Sequence, residues 1–271
     1  MPATDASPGG VSVKMAAILR TWLTHPLTRG LDVDDPRTTE LRKRVILGKP
    51  FLRLIYAEWY RGISGRLPPV DGPILELGSG AGFLKQEIPG LIASDVLRFS
   101  GNDLALDGMH LPFSDDSLRA VVMINVLHHI PDPERFFREA SRCVRTGGSI
   151  CMLEPWVTTW SRWAYALHAE PFLPEASGWA APCGGPLSGA NGALPWMIFA
   201  RDRQRFESEF PDWVIAEVTP LMPFRYLVSG GISLRSLMPA WSFGMWRSVE
   251  RALEPWMGRL AMFAIILLRR R

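Results

Sequence analysis

Three glycines at alternate positions, Gly78, Gly80 and Gly82, have the spacing that most clearly indicates chemistry. They follow a short apolar segment, residues 74–77, and glycine lacks the Cβ that would hold a ligand away from the backbone. A strand that runs into such a turn is typical of nucleotide-binding α/β folds. The sequence therefore predicts that this turn wraps around a nucleotide-like ligand.

Polar residues lie within or at the ends of four successive apolar segments. Glu76 lies in the first, Asp95 ends the second, Asp107 follows the third and Asn125 ends the fourth. The carboxyl ends of parallel strands meet at one edge of an open α/β sheet, which is where such sheets bind ligands. We therefore expect these four side chains to surround one pocket.

Two adjacent histidines, His128 and His129, follow the fourth segment. An unperturbed imidazole, with a pKa near 6.5, can act as a general base at physiological pH. We predict both as candidate catalytic bases, with His129 ahead of His128. The alternative is that one ring packs in the core and the other has a structural role.

Four segments in order resemble the core of the class I S-adenosylmethionine-dependent methyltransferases, in particular the type 11 group. They are residues 76–82, 107–113, 125–130 and 142–148. The resemblance implies an α/β fold with a Rossmann-like, mostly parallel, seven-stranded sheet and helices on both faces. It also implies S-adenosyl-L-methionine as the cofactor and methyl transfer as the activity.

The resemblance implies a role for each polar residue near the turn. Glu76 would organise the turn or meet the cofactor's ammonium group through water, and Asp95 would accept both ribose hydroxyls. Asp107 and the backbone of Gly108 would bind the adenine edge, and Asn125 would lie beside the methyl donor. A plain turn or a helix cap is the alternative for these residues. The residues that would wrap the amino-acid end of the cofactor are Gly78, Ser79, Gly80 and Gly82.

The core is flanked by segments of different character. Residues 1–10 are small and polar, and we predict that they are disordered. Residues 11–69 have apolar positions at helical spacing, which predicts an N-terminal helical cap over the cofactor or substrate. Residues 70–271 would form the methyltransferase domain, with insertions at about 156–198 and 221–258.

Both predicted insertions are rich in tryptophan. Nine of the eleven tryptophans, all except Trp22 and Trp59, lie in the second half of the chain. Connections of this length are usually functional, and tryptophan offers a wide apolar face with one N–H donor. The insertions are therefore candidates for binding an apolar or carbohydrate substrate. Contact with a membrane surface and packing against the sheet are the alternatives.

The apolar segments predict the strands of the sheet, with one difficulty. Too few residues separate Asp95 from Asp103 for a crossover helix, so this connection is an irregular loop or the third strand is misplaced. A helix is predicted from Pro133 to Arg142, ended by glycines at 147 and 148. The predicted strands are at about 73–77, 91–95, 103–107, 119–125, 149–153, 213–219 and 260–268.

Composition limits the partners. The net charge is +3, and no dense Lys/Arg run is interleaved with aromatic residues, so we expect no nucleic-acid partner. Three cysteines without C-x-x-C spacing predict neither a disulfide framework nor a zinc site, and fit a cytoplasmic protein without a metal. The apolar run at residues 260–268 is shorter than the roughly 20 residues of a membrane-spanning helix. We predict no transmembrane segment and keep peripheral membrane contact open; the oligomeric state is not predicted.

The sequence favours methylation of a small molecule, with a lipid-linked or glycan intermediate as one acceptor class. Methyl transfer from a sulfonium depends mainly on positioning, so no obligatory catalytic residue separates an enzyme from a non-catalytic, S-adenosylmethionine-binding regulatory or partner-binding module. A nicotinamide-dependent reductase is less favoured, because the turn lacks G-x-G-x-x-G spacing and the chain has no Tyr-x-x-x-Lys pair.

Overall fold

The computed structural model describes residues 25–28, 34–80, 82–99, 101–166, 170–180, 184–185 and 187–271. The predicted disorder of residues 1–10 and the first part of the predicted cap lie outside these residues. Two helices, α1 (Pro36–Gly48) and α2 (Pro50–Ser64), precede the sheet. The N-terminal helices that the sequence predicts are therefore present, and the boundaries of the cap stay a prediction.

The core is one seven-stranded sheet in the order β3-β2-β1-β4-β5-β7-β6. The first five strands pair in parallel, and β7 is antiparallel to both of its neighbours. The mostly parallel, seven-stranded sheet expected from the resemblance is confirmed. The strands are β1 Ile74–Leu77, β2 Leu91–Asp95, β3 Leu104–Ala105, β4 Leu118–Ile124, β5 Val144–Pro155, β6 Trp213–Leu221 and β7 Phe263–Arg270.

Helices cover both faces because the strands alternate their apolar side chains. Leu75 and Leu77 of β1 pack into one hydrophobic core, whereas Ile74 packs into the other. The remaining described α-helices are α3 Pro133–Cys143, α4 Thr159–Ala166, α5 Leu194–Trp196, α6 Arg203–Glu209, α7 Arg225–Val228, α8 Phe243–Ala252 and α9 Met257–Leu260. Among the described helices, none combines the length and the hydropathy of a membrane span.

The connection from β2 to β3 is an irregular loop, as one of the two sequence alternatives proposed. The Asp103 carboxylate attaches the end of this loop to β2, because it accepts the backbone N–H of Ala93 at 2.9 Å. Lys85 donates to both oxygens of the same carboxylate, at 2.6 and 2.7 Å. β3 itself is only two residues long and exposed, so the sequence overestimated its length. A few side-chain contacts therefore hold this edge of the sheet in place of a crossover helix.

The predicted end of α3 at the two glycines is wrong. The helix ends at Cys143, and β5 begins at Val144. Gly147 has a φ of +79°, and the pairing register of β4 with β5 shifts between Leu118 and Ala120. The glycines therefore accommodate an irregularity at the start of the strand.

Buried charges attach the second long connection, between β6 and β7, to the N-terminal helices. The Arg225 guanidinium donates to both carboxylate oxygens of Glu58, at 2.7 and 2.8 Å, and to Glu250. Glu250 also accepts the backbone N–H groups of Phe224 and Arg225, at 3.0 and 2.8 Å. We call Glu58, Arg225 and Glu250 the buried clasp, after its two buried members, Arg225 and Glu250; the side chain of Glu58 is 32% exposed. Each side chain in it has a partner of opposite charge.

Candidate functional site

A cavity of about 370 Å³ opens at the carboxyl edge of β1, β2 and β4. Its volume lies within the range of small-molecule sites. All but one of the predicted site residues line it. The lining set is Glu76, Gly78, Ser79, Gly80, Asp95, Asp107, Gly108, Asn125, His128 and His129.

Gly82 is the predicted ligand that does not line the cavity. Its N–H donates to the carbonyl of Ser79 at 2.7 Å, and its φ is +70°. A Cβ at this position would lie 3.2 Å from the carbonyl oxygen of Gly101. Gly82 therefore stabilises the turn through its backbone, away from the cavity lining. Its direct contact with a cofactor stays a prediction.

The first part of the turn requires glycine for steric reasons. Gly78 has a φ of +63°, and a Cβ there would lie 2.4 Å from a methyl carbon of Val126. Gly80 has a φ of +47°, which side-chain-bearing residues rarely adopt. The N–H of Ser79 donates to the carbonyl of Ser94 at 2.8 Å, which anchors the turn to β2. The turn therefore brings bare backbone to the cavity wall.

Three buried oxygen atoms around this turn have no hydrogen-bond partner: Oε2 of Glu76, Oγ of Ser79 and Oδ1 of Asn125. Buried polar atoms are nearly always paired in folded proteins, so unpaired atoms on a cavity wall indicate where the polar groups of a ligand would bind. Asn125 also has a φ of +57°, while its N–H donates to the carbonyl of Leu153. The backbone strain and the unpaired oxygens occur at the same edge of the sheet. They fit the polar amino-acid end of S-adenosylmethionine, with its ammonium donors.

Two acidic side chains at this edge, Glu76 and Asp95, both have a raised pKa. Burial raises the pKa of Glu76 to about 8, and the nearby charge of Asp95 adds to the effect. Burial also raises the pKa of Asp95, although its carboxylate accepts backbone N–H groups from Leu97 and Gly80, at 3.1 and 3.2 Å. Glu76 is therefore mainly protonated at neutral pH until a positive group approaches it.

Asp107 contacts two residues that follow it closely in the chain. One carboxylate oxygen accepts the N–H of Met109 at 2.9 Å, and the other lies 3.3 Å from Nδ1 of His110. The side chain is 44% exposed and lines the cavity together with Gly108. The role of a turn former is thus visible in the contacts, and adenine binding stays a prediction.

His128 is held by a carboxylate that the sequence analysis did not single out. Nδ1 of His128 lies 2.7 Å from Oε2 of Glu154, and both side chains are buried. The other oxygen of Glu154 accepts the backbone N–H groups of Val126 and Leu127, each at 2.8 Å. Glu154 lies near the carboxyl end of β5, the type of position that Asp95 occupies in β2, and that position was the available signal.

His129 has a different environment. Burial, followed by the neighbouring His128, lowers the pKa of His129 to about 2, and its buried Nδ1 has no partner. The ring is therefore neutral at physiological pH and a weak proton acceptor. One ligand atom each of His128, His129 and Glu170 lies within 4.8 Å of the other two, a spacing that a metal ion could use. The absence of a metal stays a prediction.

Tyrosines form much of the remaining wall. The chain has four tyrosines, and all of them line this cavity: Tyr56, Tyr60, Tyr165 and Tyr226. Burial raises the pKa of each phenol, so the hydroxyls are neutral. No tryptophan lines the cavity within the part of the chain that the structure describes. The insertions thus reach the site through Tyr165 and Tyr226, which sequence reasoning missed because the tyrosines are far apart in the chain.

Comparisons with known proteins agree with this geometry. Residues 75–152 match the type 11 family model described as a methyltransferase domain. Methyltransferase GfsG of Streptomyces halstedii is 40% identical over 69 residues, which cover 23% of this chain and 24% of that protein. The chain thus matches about a quarter of the length of this curated relative.

Two solved structures share the fold. A geranyl diphosphate methyltransferase in complex with S-adenosylmethionine aligns with a TM-score of 0.51 and 13% identity, over 92% of this chain and 96% of that chain. A Thermotoga maritima S-adenosylmethionine-dependent methyltransferase, described as a "possible histamine N-methyltransferase", aligns with a TM-score of 0.52 and 16% identity, over 87% of this chain and 97% of that chain. At these identities the alignments establish the architecture only. Residues 75–152 thus match a methyltransferase domain, and the strand order and the glycine turn at the cavity agree with the class I fold of these two methyltransferases.

Proposed function

We propose that the protein transfers a methyl group from S-adenosylmethionine to a small-molecule acceptor. The observation that carries the proposal is the set of unpaired oxygens of Glu76, Ser79 and Asn125 around a glycine turn. An ammonium group supplies donors of the kind that these three oxygens lack, and ribose hydroxyls could donate to the Asp95 carboxylate in addition to its backbone partners. When bound, the cofactor supplies an activated methyl group on a sulfonium.

The chain's own residues would then position the reactants. Asp95 would accept the ribose hydroxyls, Asp107 and Gly108 would contact the adenine, and Asn125 would lie near the methyl donor. These residues line one cavity, so a single cofactor can reach all of them. Positioning of this kind accounts for a large part of the rate in displacement reactions.

We propose His128 as the group that removes a proton from the acceptor. Glu154 holds its Nδ1 at 2.7 Å, which fixes the orientation of the ring and leaves Nε2 for the acceptor. His129, the first candidate from the sequence, is a weaker proposal because its pKa is lowered to about 2. This role needs no metal, so we expect turnover to survive treatment with EDTA.

The acceptor class is inferred from the tyrosines that line the cavity. Tyrosine rings offer flat apolar faces and neutral hydroxyls, which suit an apolar, aromatic or sugar-containing molecule. A lipid-linked or glycan intermediate stays within this class. The two structural relatives are named for geranyl diphosphate and for histamine, so the shared fold does not select the acceptor. A cytoplasmic location and peripheral membrane contact stay predictions.

The test is calorimetric titration of the purified protein with S-adenosylmethionine and S-adenosylhomocysteine, with NADH and NADPH as controls. We expect micromolar binding of the two sulfur nucleotides alone. Formation of S-adenosylhomocysteine in the presence of apolar or glycan acceptors would then distinguish an enzyme from a non-catalytic binding module. A folded sample that binds only NADH or NADPH would support the reductase, and one that binds none of the four would favour the partner-binding module.

A further inference from the structure

One positive charge in the cavity has no assigned role. Helix α1 presents Thr39, Arg42 and Ile46 to the cavity at helical spacing, so the arginine faces the same space as the glycine turn. Its charge partly offsets the burial that raises the pKa of Asp95, and it adds to the lowering of the pKa of His129. Arg42 therefore lines the same cavity as the predicted ribose ligand and the histidine pair and interacts electrostatically with both.

The Arg42 guanidinium has no hydrogen bond or ion pair among the residues that the structure describes. Arg225, by contrast, is bound by the carboxylates of Glu58 and Glu250. A guanidinium has five N–H donors in a planar fork that matches a carboxylate or a phosphate. An arginine that faces a cavity with its donors unused is suited to bind an anion that arrives with a ligand.

Neutralising a nearby carboxylate, Asp34 or Asp95, is the competing explanation for Arg42. However, Asp34 already accepts the backbone N–H groups of Leu187 and Ser188, at 2.6 and 3.1 Å. Backbone N–H groups of Gly80 and Leu97 likewise stabilise the Asp95 carboxylate, and it makes no hydrogen bond with Arg42. The charge of Arg42 also partly offsets the burial that raises the pKa of Tyr56 and Tyr226, so it acts on tyrosines of the cavity as well as on Asp95.

We propose that Arg42 is the anion-binding residue of this cavity and holds a carboxylate or phosphate group of a bound molecule. The inference rests on the proposed function, which supplies two sources of such a group. One is the α-carboxylate of S-adenosylmethionine. The other is an acidic group on the acceptor, whose flat or apolar part would pack against the tyrosine rings. If the acceptor is the source, the methyl acceptor of this site is an anionic molecule.

The first arm of the test concerns the cofactor. Arg42→Gln is titrated with S-adenosylhomocysteine and with 5′-methylthioadenosine, which lacks the amino-acid carboxylate. If Arg42 holds the cofactor, the substitution weakens S-adenosylhomocysteine binding about 10- to 100-fold, as expected for loss of a charge-assisted hydrogen bond, and leaves 5′-methylthioadenosine binding unchanged.

The second arm concerns the acceptor. The protein saturated with S-adenosylhomocysteine is titrated with 2-naphthoate and with the neutral 2-naphthamide, which differ at the acidic group. If Arg42 holds the acceptor, the wild type prefers the carboxylate, and Arg42→Gln removes the preference without changing cofactor affinity.

Arg44→Gln is the matched control, because Arg44 lies on the same helix and is exposed. Arg42→Lys should keep part of the effect, since it retains the charge and loses the fork. In each arm, the dissociation constants of the two ligands give a ratio. If this ratio is the same for the wild type and Arg42→Gln in both arms, the proposal is overturned. Failure of the wild type to bind S-adenosylhomocysteine at all would instead count against the proposed function, and the two failures are therefore distinguishable.

Discussion

Buried polar groups have partners in the buried clasp, whereas some of those at the cavity edge have none. In the clasp, Arg225 and Glu250 are each 4% exposed, and the charged groups are paired with one another. At the cavity edge, Glu76 is also 4% exposed, yet one of its oxygens has no partner. Burial is equal, and only the satisfaction of hydrogen bonds differs. A buried polar group with a full set of partners therefore serves the fold, whereas several unpaired oxygens on the wall of one cavity indicate a ligand site.

The largest expected effect is on the clasp. Glu250→Ala leaves Arg225 without its buried carboxylate partner and two backbone N–H groups without an acceptor. Removing one member of a buried ion pair costs about 3–5 kcal/mol of unfolding free energy. Urea denaturation would measure the loss, with the exposed Glu254→Ala as the control. A loss below about 1 kcal/mol would mean that the clasp adds little to stability.

The next effect separates the two histidines of the cavity edge. His128→Ala should lower turnover of an identified acceptor about 100-fold, the lower range for general base catalysis, and leave cofactor affinity unchanged. His129→Ala should change turnover less and also leave cofactor binding intact. His110→Ala, at an exposed histidine outside the cavity, is the control. Normal turnover in the His128 variant would remove it as the base, and normal turnover in the His129 variant would end the candidacy of His129.

A smaller effect is expected for the predicted ribose ligand. Asp95→Ala should weaken cofactor binding by more than about 1 kcal/mol, because a carboxylate that accepts two hydroxyls contributes more than one ordinary hydrogen bond. Calorimetry would give the dissociation constant, and the exposed Asp71→Ala provides the control. If the dissociation constant does not change, Asp95 does not bind the cofactor. The cavity edge would then have one ligand-binding residue fewer to compare with the buried clasp.

The smallest expected effect is the release of a proton when the cofactor binds. Glu76 has a pKa raised from 4.5 to about 8, so its stabilising contribution to the ligand-free fold is fully present below pH 4.5 and is lost as the pH rises through about 8. An ammonium group near the carboxylate would ionise it, so cofactor binding at pH 7 should release a proton. Affinity should then rise with pH between about 6 and 8.

Calorimetry in two buffers of different ionisation enthalpy would count the released protons. Glu76→Gln should release fewer protons than the wild type and show a flatter dependence of affinity on pH. A wild-type heat that is independent of the buffer would show that Glu76 does not ionise on binding, and its unpaired oxygen would then need another explanation.

The sequence predicted the parts of the site that lie on or next to strands. Asp95 and Asn125 could be placed because a strand end is a fixed position in a parallel sheet. Gly78 and Gly80 could be placed because their left-handed backbone requires glycine. The same reasoning put β2 at its observed bounds.

The remainder of the site depends on contacts that local pattern does not encode. Arg42 and the tyrosines of the insertions come from separate segments, and only the tertiary fold brings them to one cavity. Glu154 became significant only when its 2.7 Å contact with His128 was visible. The lowered pKa of His129 likewise arises from burial, which reversed the order of the two candidate bases.

The confinement of every tyrosine to the cavity wall makes the site spectroscopically addressable. Protein grown with 3-fluorotyrosine would give four ¹⁹F resonances, one from each of Tyr56, Tyr60, Tyr165 and Tyr226, with no background from the rest of the molecule. Because two of these residues belong to α2 and two to the long connections after β5 and β6, the four signals would report separately on the walls that a bound molecule touches. A library of acceptors could thus be screened on the ligand-binding surface itself, before any turnover is known.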